Sequence, residues 1–122
     1  WLDARRVARR LNDALLDGVS FAAQDYTPTK SAYAGELCHG ILMTINDRDT
    51  LRPLAVFRHI DQALYELHRE DYKWKWGEAR KMTGSAEFQR IYENGHDPIK
   101  IMALFNRDAE RFEKSRRRYL LY

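Results

Sequence analysis

The sequence has 122 residues, 44% of them hydrophobic and 32% charged, with a formal net charge of +3. Three Trp, seven Tyr and five Phe supply ample apolar area, which argues against disorder and for one folded domain spanning 1–122. A single cysteine excludes an intramolecular disulfide and any Cys-pair zinc motif, and no apolar run approaches the length of a membrane span.

The first element is a helix from Trp1 to Leu16, with Val7, Leu11, Ala14 and Leu15 on one face, Asp3 as N-cap and Gly18 beyond its end. Residues 19–27, VSFAAQDYT, alternate as a strand does and stop at Pro28. The stretch SAYAGELCHG follows, and then ILMTIN, residues 41–46, which reads as a buried strand. Thr50 reads as the cap of a helix from about Leu51 to Arg69, with Pro53 in its first turn and Leu54, Phe57, Ile60, Leu64 and Leu67 as its apolar stripe.

Residues 71–84 read as irregular, with Tyr72, Trp74 and Trp76 alternating with charges. A short helix follows Ser85 through Glu93 and stops at Gly95. Asp97-Pro98 then opens a last helix that turns Ile101, Leu104, Phe105, Ala109 and Phe112 inward and carries Arg116, Arg117 and Arg118 at its dipole's negative end. The closing YLLY reads as docking back on the core. The expected architecture is α+β: about four helices on a small sheet of two or three strands.

The chemistry-bearing residues are sparse. Of His39, His59, His68 and His96, none stands three or four residues from another, so no helical ligand pair exists and no metal is expected. Cys38 and His39 are adjacent, and in an extended chain they face opposite ways. A catalytic pair is therefore disfavoured, and Cys38 reads as a small buried hydrophobe. Gly35 and Gly40 read as backbone devices, allowing turns or close approach. YKWKW, residues 72–76, together with Arg5, Arg6, Arg9, Arg10 and the terminal arginines, has the look of a polyanion reader. Solvated helix faces and packed tryptophans explain the same residues more simply. Asp47-Arg48 leaves a strand for a loop, a place where binding groups are often held rigidly.

Taken in order, the segments resemble one family, the C-terminal part of the NamZ-type exo-β-N-acetylmuramidases. The family's Tyr-x-Gly-x-x-Cys-x-Gly pattern stands here as Tyr33, Gly35, Cys38 and Gly40. Its Thr-Asp-Arg and Phe-Arg-Pro steps stand as Asn46-Asp47-Arg48 and Leu51-Arg52-Pro53, and its ending as Arg118 followed by YLLY. Its opening Trp stands as Trp1. The chain departs from the pattern at Ala32, Thr44 and Ala79-Arg80, where the family has Lys, His and Phe-Asp.

The resemblance implies a two-domain parent whose larger Rossmann-like N-terminal domain holds the proposed catalytic glutamate and is absent from this chain. This chain would be the auxiliary domain that helps wall the cleft, with no catalytic residue, no metal and no cofactor of its own. The implied reaction removes terminal N-acetylmuramic acid from peptidoglycan fragments, in a secreted or periplasmic protein. Tyr33, Asp47 and Arg48 are then the candidate substrate-binding residues. An arginine fork matches the lactyl carboxylate of that sugar, and a tyrosine face can pack on a sugar ring. The alternative from another class is a free-standing basic α+β module that binds a polyanion such as nucleic acid.

Overall fold

The chain is described by a computed structural model covering residues 1–30 and 32–121. Among them run five α-helices and a two-stranded antiparallel sheet, an α+β arrangement with one helix more than the sequence pattern suggests. The chain divides into two compact units, Trp1–Lys73 and Trp74–Tyr122.

The first unit opens with α1, Ala4–Asn12. Asp3 caps it as expected, its carboxylate accepting from the Arg6 N–H. Ala4, Val7, Ala8 and Leu11 recur at helical spacing and are buried. The helix ends four residues earlier than its apolar pattern suggests. Asn12 turns its side-chain amide onto the next segment, and residues 13–15 form a turn that leaves Leu15 exposed.

Strand β1, Val19–Tyr26, pairs with β2, Cys38–Ile45, from Val19↔Ile45 to Tyr26↔Cys38. Residues opposite one another share a face. Val19, Phe21, Ala23 and Asp25 therefore lie with Ile45, Met43, Ile41 and His39, and this face carries the core residues Val19 and Phe21. The core joins them to Val7, Ala8, Leu11, Val56 and Ala63. Each large apolar side chain buried there contributes about 1.5–3 kcal/mol.

The cover is uneven. ILMTI is not a buried strand within this unit: Ile41 packs against the core, but Leu42, Met43 and Ile45 stay 47%, 45% and 44% exposed. Helix α2, Pro53–Leu67, has Arg52 rather than Thr50 at its N-cap and no side-chain cap; the Thr50 hydroxyl, two residues further back, bonds Asp47 instead. Ile60, Leu64 and Leu67 of its expected stripe meet the core, whereas Leu54 is exposed. Asp61, buried on the same helix, accepts from the Tyr72 hydroxyl at 2.9 Å.

The second unit is helical: α3 (Trp76–Thr83), α4 (Ala86–Glu93) and α5 (Pro98–Arg116), followed by a short 3₁₀ turn, Arg117–Tyr119. Ser85 and Asp97 cap α4 and α5 with their side chains, Asp97 as the sequence suggests. Helix α3 lies inside the stretch that reads as irregular. Gly84, with φ +64, ends it in the left-handed conformation that suits glycine.

Phe88 is the hub of this unit. Trp74, Trp76, Tyr92 and Phe105 surround it with ring centroids 5.5–6.3 Å away. Ile101 and Leu104 of α5 are buried, but Ala109 and Phe112 face solvent, against the inward stripe read from the sequence. Tyr119, Leu120 and Leu121 are exposed rather than docked, Leu121 at 94%. Tyr122, the last of that motif, lies outside the described residues.

Candidate functional site

The sequence places its candidate residues around the β1–β2 hairpin, and the structure puts them at its two ends. One end is the connecting loop. There the Tyr33 carbonyl accepts from the Glu36 N–H at 3.1 Å, closing a four-residue turn. Gly35 is its third residue, with φ +81, the position at which a type II turn needs glycine. Gly35 also ties the loop across itself, its N–H donating to the Pro28 carbonyl at 2.9 Å. Tyr33 is exposed on this turn.

Cys38 starts β2 half-buried rather than buried, with its Sγ 3.7 Å from the Glu36 carbonyl. His39 projects to the opposite face and pairs with Asp25 at 2.7 Å, as alternation along a strand requires. Gly40 admits the Tyr26 ring: a Cβ there would come within 3.0 Å of Tyr26 Cε1. Among the described residues, no three His, Cys, Asp or Glu side chains group as metal ligands do.

The other end is the turn after β2. The Gly18 carbonyl accepts from both the Asn46 and the Asp47 N–H, at 2.8 and 3.2 Å. The Asn46 side chain donates to Ser20 Oγ. Asp47 folds its carboxylate back onto the Asp49 N–H at 2.8 Å and onto Thr50. The hydrogen bond from Asp49, with help from Thr50, holds that carboxyl below its ordinary pKa. Arg52 donates to the Asp49 carbonyl at 3.2 Å. Arg48 rides on this stapled turn, exposed and without a hydrogen-bond or ion-pair partner among the described residues.

The structure therefore brings Asp47 and Arg48 together and sets Tyr33 apart. Eight strand residues separate the two ends, about 25 Å at the usual rise per residue. Tyr33 and Arg48 cannot hold the same sugar ring. Asp47 is occupied in shaping the turn, and Arg48 is the group free to meet an anion.

Two residues escaped the sequence reading. Gly18 reads there only as a helix stop. In the structure it has φ +72, and a Cβ would fall on the Asp47 carbonyl oxygen, so glycine is what lets the Arg48 turn close. Asn12 donates from Nδ2 to the Phe21 carbonyl at 2.8 Å and accepts the Phe21 N–H on Oδ1 at 2.9 Å, the pattern of a neighbouring strand. Nothing local in the sequence marks it.

The features that suggest a polyanion reader are largely engaged elsewhere. Trp74 and Trp76 pack with Phe88 and Tyr92. Arg116 and Arg117 pair with Glu113, Arg118 stacks over the Tyr119 ring, and Arg10 pairs with Glu66. No described helix is long and apolar enough to cross a membrane.

Residues 1–122 match the family model described as exo-beta-N-acetylmuramidase NamZ, C-terminal. The peptidoglycan beta-N-acetylmuramidase NamZ of Bacillus subtilis (strain 168) is 28% identical over 123 residues, which take in all of this chain and 30% of that protein. Among solved structures, a DUF1343 family protein from Bacteroides fragilis shares the fold with a TM-score of 0.82 at 22% identity, again over all of this chain but 33% of the other. The chain thus spans about a third of the length of the proteins it matches.

Proposed function

From the premise that this chain belongs to the family of NamZ C-terminal domains, we propose that it is the auxiliary domain of an exo-β-N-acetylmuramidase and presents Arg48 to the substrate. The parent would release terminal N-acetylmuramic acid from peptidoglycan fragments, outside the cytoplasm. The acid–base chemistry would belong to the N-terminal domain, and this chain would position the sugar.

One observation carries the role of Arg48. A guanidinium stands unpaired and exposed on a turn fixed by Gly18, Asp47, Thr50 and Arg52. N-acetylmuramic acid differs from its neighbouring sugar by a lactyl carboxylate, and a guanidinium takes a carboxylate through two parallel hydrogen bonds. A pre-ordered turn spares the entropy of ordering the arginine on binding. Asp47 serves the same end indirectly, by shaping the turn. Tyr33, at the far end of the hairpin, would meet a different part of a longer fragment.

The test is kinetic and uses the full-length parent. Arg48→Ala removes one charge-assisted interaction, so kcat/KM for a muramoyl-terminated saccharide should fall by about 10- to 100-fold. Arg48→Lys should recover part of the loss, and the unfolding midpoint should not move. Unchanged kcat/KM in the alanine variant refutes the carboxylate role.

A further inference from the structure

The two edges of the sheet are treated differently. Asn12 takes both the N–H and the C=O of Phe21, so those groups point away from β2. In an antiparallel pair, residues that face the partner alternate with residues that face outward. Phe21 pairs with Met43, Ala23 with Ile41 and Asp25 with His39. The backbone N–H and C=O groups of Met43, Ile41 and His39 therefore point outward from β2, and no described residue receives them. The β1 edge is closed by a side chain at Phe21, while the β2 edge is open at all three of its outward positions.

That edge is also undefended. Exposed strand edges are ordinarily blunted by lysine, proline or a bulge. Cys38–Ile45 reads CHGILMTI, with no proline and no Asp, Glu, Lys or Arg. Its pairing with β1 runs without interruption over all eight positions. Leu42 on one face and Met43 and Ile45 on the other leave nearly half of each side chain exposed beside the open backbone groups. A two-stranded ribbon is marginal by itself, and a third strand is the usual remedy.

We infer that the outward edge of β2 receives an extended segment from the part of the longer protein outside these 122 residues, which adds a third strand to the sheet. This rests on the reading that the chain is one domain of a longer protein. Its relatives carry this fold alongside about twice as much additional chain. A tethered segment meets the edge at high effective concentration, whereas a second copy must be recruited from solution. Main-chain hydrogen bonds to His39, Ile41 and Met43 would hold the strand, and Leu42, Met43 and Ile45 would be covered by the body that carries it.

The experiment is residue-resolved hydrogen exchange on the full-length protein, with its mass measured by sedimentation at the same concentration. In the monomer, the Ile41 and Met43 amides are expected to exchange at least about 100-fold more slowly than in an unstructured chain. Met43→Pro removes one outward donor and spares the β1 ladder. It should release Ile41 while Leu42, which bonds β1, stays protected. If Leu42 also loses protection, the variant has unfolded and the wild-type pattern decides. Fast exchange of Ile41 and Met43 in the monomeric wild type overturns the inference. So does protection that appears only in a dimer, which would make the occupant a second copy. Muramidase activity of the same preparation is scored separately, so an open edge in an active enzyme refutes the strand without touching the function.

Discussion

Gly18 couples the helix end to the turn that carries Arg48. Its carbonyl gathers the N–H groups of Asn46 and Asp47, and its missing side chain lets the Asp47 carbonyl approach. Gly18→Ala should therefore destabilise the protein by more than about 2 kcal/mol, the sum of left-handed strain and a steric clash. Gly35→Ala meets the same strain at φ +81 but open space, so about 1–2 kcal/mol is expected. Urea unfolding of the two variants compares them directly, and Gly18→Ala should also weaken kcat/KM by loosening the Arg48 turn. Equal losses at the two positions would show that the approach of Asp47 does not matter. The caps Asp3 and Asp97 were legible in the sequence, because a cap is a local device: a short side-chain oxygen reaches N–H groups two or three residues on. The reach of Asn12 to Phe21 depends on how the chain returns, which no local pattern records.

At the scale of elements, α1, β1, α2, α4 and α5 follow from periodicity and punctuation, with boundaries displaced by a few residues. Helix α3 does not. Its sequence, WGEARKMT, lacks a strong apolar stripe, and the helix is held from outside by the aromatic cluster around Phe88. Phe88 is 1% exposed and touches ring systems before, within and after that helix. Phe88→Ala should cost about 3–5 kcal/mol, seen as a large drop in the denaturation midpoint of this unit. Trp76 fluorescence should shift toward that of exposed indole. A loss under about 1 kcal/mol would mean that the cluster collapses around the hole and that α3 owes its stability to something else. ILMTI and YLLY are the instructive misreadings. Both are apolar, and an apolar run implies a covering partner without saying whose chain provides it. Here most of that cover is absent from the described residues.

At the scale of the whole molecule, the α+β class was legible because strand and helix periods differ and the turns are well marked. The candidate site was only half legible. The resemblance named Tyr33, Asp47 and Arg48 as substrate-binding candidates without saying whether they lie together, and the intervening strand carries Tyr33 and Arg48 to opposite ends of the hairpin. What survives is a stapled turn that offers one free guanidinium and a sheet edge left open beside it. Both features fit the proposal that this chain works beside a larger partner domain. The most direct measurement is the release of free N-acetylmuramic acid from muramoyl-terminated peptidoglycan fragments, by the full-length protein and by these 122 residues in parallel. The account predicts steady release by the full-length protein and none by the 122 residues. A full-length protein that leaves the terminal sugar in place, or equal release by the short chain, would contradict it.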